Sequence, residues 1–308
     1  MQNQKTISEL IDLWKADKKQ YVKKSSYAAY ILLIENHVLP AFGAKYSVEN
    51  ADVQSFVLHK LAQGLSRKTV KDIVIVLKMI LKFGAKIKMC TYTPFDIQYP
   101  TEHETHNIEV LSRANQKKIM DYVKTNFTFK NLGVYICLCT GMRIGEICAL
   151  TWGDIDTENG IIAVHKTIQR IYVIENGSRR TELLLDTPKT KNSIREIPLT
   201  NNVIKLIKPF KKVVNDTFFV LTNELKPTEP RIYRNYYDNL LKTLKIPKLK
   251  FHGLRHSFAT RCIESNCDYK TVSVLLGHAN IATTLNLYVH PNFEQKKKCV
   301  EQMAKTLR

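Results

Sequence analysis

FHGLRHSFAT, residues 251–260, places His252, Arg255 and His256 within little more than one helical turn. Side chains four apart share a helix face, so the two histidines form a candidate metal pair. The same crowding of cationic and hydrogen-bonding groups suits a single anion such as a phosphate. Which ligand the stretch serves, and which fold presents it, depends on the company it keeps in the rest of the chain.

At 308 residues the chain is long enough for two domains, since one core organises roughly 100–200 residues. Hydrophobic residues at 44% and charged residues at 24% are ordinary globular values and exclude wholesale disorder. The charge balance is unusual: 47 Lys and Arg against 28 Asp and Glu leave +19. The first 100 residues hold 15 basic and 8 acidic side chains, and the remainder 32 and 20, so both parts favour a polyanion. Nucleic acid is the expected partner, with a basic solvated surface as the plain alternative.

Seven cysteines, an odd number with no paired C-x-x-C framework, read as free thiols in a reducing compartment. The opening MQNQKTISELIDLWKADKKQ alternates polar and apolar residues and has no secretory core. Nowhere does the chain run apolar for the roughly 18 residues of a membrane span. A cytoplasmic protein without membrane association is expected.

Residues 1–98 read as helices only. Ile7, Leu10, Ile11 and Trp14 have helical spacing, as do Val70, Ile73, Val74, Leu77, Ile80 and Leu81 behind a Ser66 N-cap. Between them, SSYAAYILLIENHVLPAFG and VENADVQSFVLHKLAQG predict two more helices, closed at Pro40–Gly43 and at Gly64. Residues 99–107, with Pro100 and no helical period, read as a linker. The remainder, 108–308, opens with helices and passes through a β-rich stretch with Asn176-Gly177 as a hairpin turn signal. IREIPLT closes the expected sheet, and helices return to the end.

This second part carries the unusual polar residues. TGMRIGE sets Arg143 at the start of a helix, where guanidinium and helix N-terminus both favour an anion. PKTKNSIREIPL puts Lys189 and Lys191 on a turn between strands. His252 and Arg255 lie in the opening stretch, and LLGHANIATTLNLY supplies His278 after Gly277 and Tyr288 ten residues on.

Arginine, lysine, histidine, arginine, histidine and tyrosine in this order resemble the motif series of the tyrosine recombinase (phage integrase) superfamily. TGMRIGE, PKTKNSIREIPL, HGLRHSFAT and LLGHANIATTLNLY each look like a family signature, and together they cover nearly all of 108–290. GLSRKTVKDI extends the resemblance into the first part. The family implies a mainly α fold with a small antiparallel β-sheet. It also implies a helical, SAM-like core DNA-binding domain joined to a catalytic domain as a C-shaped clamp. The first helix is expected near residue 6, which leaves this sequence no room for a separate arm-site domain ahead of it.

The resemblance further implies site-specific DNA recombination through a covalent 3′-phosphotyrosine. Tyr288 is the expected nucleophile, a phenol that must lose its proton on attack. Arg143 and Arg255 would fork donors onto the phosphate oxygens, as lysine cannot do with fixed geometry. Lys189, or Lys191 beside it, would protonate the leaving 5′-hydroxyl. His252 and His278 would hydrogen-bond the phosphate, with His252 also helping to deprotonate Tyr288. No cofactor or metal is called for, because the arginines supply the charge. The expected partners are duplex recombination sites, a homotetramer holding two duplexes, and a directionality factor. The chain after Tyr288 would pack as a helix on a neighbouring protomer.

Duller readings stand beside these. His256 reads as structural, and Arg143 also reads as a salt-bridge partner of Glu146 three residues on. Asp154 and Asp156 resemble a two-metal acidic pair, but Trp152-Gly153-Asp154 looks like a structural segment of the family, which argues against a metal nuclease. Two other functions share the features: a type IB topoisomerase, with the same cleavage chemistry, and a catalytically silent DNA-binding protein.

Overall fold

A computed structural model of the chain describes residues 5–101, 108–175, 178–188, 190–288 and 293–305. The apolar spacing of the first hundred residues resolves into packed helices. Helix α1 (Ile7–Lys18) starts at Thr6, whose hydroxyl accepts from the Glu9 N–H while the Glu9 carboxylate accepts from the Thr6 N–H. Helix α2 (Lys24–Leu33) passes through a π-helical turn (Ile34–Val38) into α3 (Leu39–Phe42). The sequence predicts one uninterrupted helix here. The wider turn precedes Pro40, which has no N–H to continue the regular ladder.

Helix α4 (Asn50–Ala62) stops before Gly64, where φ is +84°. Helix α5 (Arg67–Lys86) is capped by the Ser66 hydroxyl, which accepts from the Thr69 N–H at 3.2 Å. The six apolar residues expected on its inner face are all buried. Each contributes about 1.5–3 kcal/mol relative to exposure, so packing holds this helix more than propensity does.

The extended stretch after α5 is tied down in part. The Gln54 amide brackets the Gln98 backbone, donating to its oxygen at 3.0 Å and accepting from its N–H at 2.9 Å. Asn50 accepts from the Asp96 N–H, and Phe95 is buried.

The chain divides into two compact units, Met1–Thr105 with Arg170–Leu184, and His106–Gln169 with Leu185–Arg308. The second unit holds α6 (Arg113–Thr125), α7 (Phe129–Thr140) and α8 (Ile144–Ala149). Strands β1 (Ile155–Asp156), β2 (Ile161–Val164) and β5 (Arg195–Pro198) follow in one antiparallel sheet ordered β1-β2-β5. In it, Ile162 faces Ile197 and Val164 faces Arg195. Strands β3 (Thr167–Glu175) and β4 (Ser178–Asp186) pair separately, and the Asn176-Gly177 turn signal lies outside the described residues.

The β-rich stretch is therefore two sheets, where the sequence suggests one. Residues 170–184 group with the first unit because β3 alternates: Ile171 and Val173 are buried against Ala28 of α2, and Tyr172 between them is exposed. Helices α9 (Asn201–Lys211), α10 (Pro230–Thr243), α11 (His252–Glu264), α12 (Tyr269–Leu276), α13 (Ile281–Tyr288) and α14 (Phe293–Lys305) complete the second unit. Its core gathers around Trp152, Tyr135, Tyr233, Tyr237 and Leu254, all nearly inaccessible to water. The fold is mainly α with small antiparallel sheets.

Candidate active site

A helix leaves its last carbonyls without intrahelical donors and carries the negative end of its dipole there. At the end of α12 three successive carbonyls are each met by a different arginine. Arg195 Nε donates to Leu275 O at 2.7 Å, Arg255 Nη2 to Leu276 O at 2.6 Å, and Arg143 Nη2 to Gly277 O at 3.3 Å. The three come from β5, from α11 and from the residue that caps α8. Gly277 makes the convergence possible. Its φ is +66°, and a Cβ there would meet the Asn192 carbonyl oxygen at 2.8 Å and Arg195 Cδ at 3.2 Å.

Glu146 holds the cluster from the other side. Its carboxylate accepts from Arg143 Nη1 at 2.7 Å and from the Arg143 backbone N–H at 2.9 Å. It also accepts from Arg195 Nη1 at 3.2 Å and Nη2 at 3.0 Å. Burial by itself would raise this carboxyl, but the hydrogen bonds and charge of Arg195, joined by Arg143, outweigh it and hold the group below the usual carboxylate range. Three guanidiniums against one carboxylate leave two positive charges. That matches the two negative charges a phosphodiester carries once a phenolate has added to it.

Arg255 is 1% exposed and also donates to Gly141 O at 3.0 Å. Gly141 ends α7 with φ +65°, and a Cβ there would run into the Phe258 ring at 2.7 Å. Desolvation and the neighbouring Arg143 work against the charge of Arg255, yet a guanidinium stays protonated under any physiological condition. Its two bonded carbonyls occupy part of a five-donor fork, and Arg143 keeps about a third of its side chain open to solvent.

His278 follows Gly277 directly, and its Nδ1 lies 2.8 Å from the Oγ1 of fully buried Thr284. Desolvation, then the charges of Arg255 and Arg143, push its imidazole down to about 4. His252 is shifted the same way by desolvation, His256 and the same two arginines, although more than a third of its surface meets water. For that exposed ring the direction, toward the neutral form, is what the cations dictate. Tyr288 ends α13 packed against the small cluster of Ala259, Val272 and Leu276, and burial pushes its phenol up to about 12 against the pull of Arg255. Its hydroxyl lies 2.5 Å from His256 Nδ1.

Arg143, His252, Arg255, His278 and Tyr288 are thus gathered in one neighbourhood, each feeling the charge of at least one cluster arginine. Lys189 lies outside the described residues. Lys191 opens a 3-10 turn (Lys191–Ser193) in which Asn192 Nδ2 reaches toward the His278 and Ala279 carbonyls at 3.5 and 3.4 Å. The Arg143–Glu146 pair weighed as a dull alternative does exist, and it serves the cluster. Asp154 is structural as expected, accepting from the Thr151 N–H at 2.8 Å and pairing with Lys166 at 2.8 Å.

Sequence reasoning passed over Glu146 and Arg195 as site residues and gave the contact with Tyr288 to His252 instead of His256. Arg195 had a signal: β5 buries Arg195 and Ile197 and exposes Glu196 and Pro198, so an arginine stands at an inward position that demands a buried acid.

Comparison with known proteins identifies the family and the fold. Residues 109–295 match the Phage integrase family, and residues 6–47 match the Phage integrase, N-terminal SAM-like domain. The chain is 31% identical to a Tyrosine recombinase XerC-like protein of Caldanaerobacter subterraneus subsp. tengcongensis, over 97% of this chain and 82% of that protein. It is 27% identical to the Transposase from transposon Tn916 of Enterococcus faecalis, over 80% of this chain and 64% of that protein. In fold it resembles the Tn1549 transposon integrase in complex with transposon right end DNA, with TM-score 0.77, 24% identity, and 97% and 100% of the two chains covered. A lambda integrase tetramer bound to a Holliday junction has TM-score 0.64 at 14% identity, covering 93% of this chain and 78% of that one. The chain belongs to the phage integrase family and is a tyrosine recombinase, an enzyme that cleaves and rejoins DNA strands.

Proposed function

We propose that this recombinase moves a mobile DNA element, with Tyr288 as nucleophile and Arg143, Lys189, His252, Arg255 and His278 acting on the scissile phosphate. The observation that carries the reading is the anchoring of Arg143 and Arg255 on adjacent carbonyls. One phosphate can meet both guanidiniums there, with His278 on the next residue. The arginines bind the nonbridging oxygens and gain most as negative charge builds on them. His278, held through Nδ1 by Thr284, keeps Nε2 for the phosphate. His252 adds a second imidazole donor. Lys189 protonates the departing 5′-oxygen.

Tyr288 bonds to phosphorus as the 5′-oxygen leaves, and the 3′-phosphotyrosine keeps the bond energy for a 5′-hydroxyl from another strand. Two rounds of this exchange recombine two duplexes.

The domains divide as 1–98 for core DNA binding, 99–107 as linker and 108–308 for catalysis. Four protomers work on two duplexes, with α14 packing on a neighbour; Phe293 and Val300 on that helix are exposed and apolar, which supports this use. A directionality factor sets the sense of the reaction. The similarity to the transposase from transposon Tn916 supports a mobile-element role.

The reading is tested with duplexes cloned from both flanks of the gene. The wild-type protein exchanges strands between matched flanks and Tyr288→Phe binds them without exchange. Supercoil relaxation on every duplex with no exchange on any would favour a topoisomerase instead.

A further inference from the structure

His256 follows Arg255 on α11 and is not among the residues assigned to the phosphate. Its Nδ1 nevertheless lies 2.5 Å from the Tyr288 hydroxyl, with the ring centres 5.6 Å apart. His252 stands one turn earlier, edge-on to His256 with ring centres 4.7 Å apart, and among the described residues no hydrogen bond joins it to Tyr288. With the Tyr288 hydroxyl as donor, Nδ1 accepts and the imidazole is the tautomer with its proton on Nε2.

We propose that His256, and not His252, is the base that takes the phenolic proton when Tyr288 attacks DNA. This rests on Tyr288 being the nucleophile. In the step, the Tyr288 oxygen bonds to phosphorus while its proton passes to His256 Nδ1, giving imidazolium. The phosphorus–O5′ bond breaks, and O5′ takes a separate proton from the acid on the lysine turn. Rejoining reverses each transfer. His252 is thereby left to the phosphate.

The surroundings suit the task. Burial and the Arg255 charge keep the His256 imidazole neutral and ready to accept. The groups facing it are Tyr288 of α13, His252 and Arg255 of its own helix, and Glu109 and Lys250, which line the same cavity as His252 and His256. That cavity offers the proton a route to solvent.

The test is single-turnover adduct formation on a nicked suicide substrate from about pH 6 to about pH 9, using His256→Ala and the size-matched His256→Asn, both first shown to bind the duplex. At pH 7 cleavage should fall about 100-fold, and the deficit should shrink about tenfold per pH unit as hydroxide replaces the lost base. A 5′-bridging sulfur, which leaves without a proton, should not rescue either variant. Cleavage within about threefold of wild type, a deficit equal at every pH, or rescue by sulfur would overturn the role. Covalent trapping by Tyr288→Phe would instead overturn the nucleophile assignment beneath it.

Discussion

Arg143 and Arg255 donate to adjacent backbone carbonyls, Gly277 O at 3.3 Å and Leu276 O at 2.6 Å, though 112 residues separate them in sequence. The turn after α12 therefore sets the spacing of the two guanidiniums. Lysine keeps the charge but cannot hold a carbonyl and a phosphate in one rigid fork. Arg143→Lys and Arg255→Lys should each lower the rate of adduct formation about 10²-fold, with duplex affinity in a gel-shift assay changed far less. Equal losses of binding and cleavage would place these arginines in general phosphate attachment.

Glu146 and Arg195 form the buried ion pair behind that turn, both side chains less than 5% exposed. Removing the acid leaves a guanidinium buried without its counter-charge, so Glu146→Gln should lose about 3–5 kcal/mol of unfolding free energy in chemical denaturation. Cleavage should drop as well, because Arg143 loses the partner that aims it. An unchanged denaturation midpoint would show that the pair contributes little.

Much of this was legible beforehand, for reasons particular residues show. Helix α5 announced itself because its buried face repeats at helical spacing, and the Ser66 cap and the Gly64 break were in the letters. Positions 143, 252, 255, 278 and 288 were readable because the motifs around them resemble those of the tyrosine recombinase superfamily. The Glu146–Arg195 pair was not, since nothing local tells a buried acid from a solvated one on a short helix. The Tyr288–His256 contact depends on how α13 returns to α11, which spacing alone does not fix. The separation of hairpin β3–β4 from the sheet likewise depended on a long-range contact, Ile171 and Val173 on Ala28.

Through its burial and the neighbouring arginines, His278 should make the free protein acid-sensitive. Its imidazole sits at about 4 in the folded chain against an ordinary 6.5, so below 6.5 the unfolded chain binds a proton that the folded one refuses. Its contribution is complete above pH 6.5 and fades as pH falls toward 4. Denaturation midpoints should therefore drop between about pH 7 and pH 5, and His278→Asn should flatten that slope. An unaltered slope would move the acid sensitivity to other groups.

With Arg143 and Arg255 as the proposed phosphate ligands, their charge should make divalent ions unnecessary there. Adduct formation should proceed at an unchanged rate in excess EDTA. A chelation-sensitive rate restored by Mg²⁺ would show that the arginine cluster is insufficient.

The most direct test is to trap the covalent complex on a nicked duplex, digest both polymers and sequence the modified peptide by mass spectrometry. The nucleotide should be found on the oxygen of Tyr288, in the peptide that carries NLY, with none formed by Tyr288→Phe. A nucleotide on any other residue would contradict the attack by Tyr288 on a phosphate held at the end of α12.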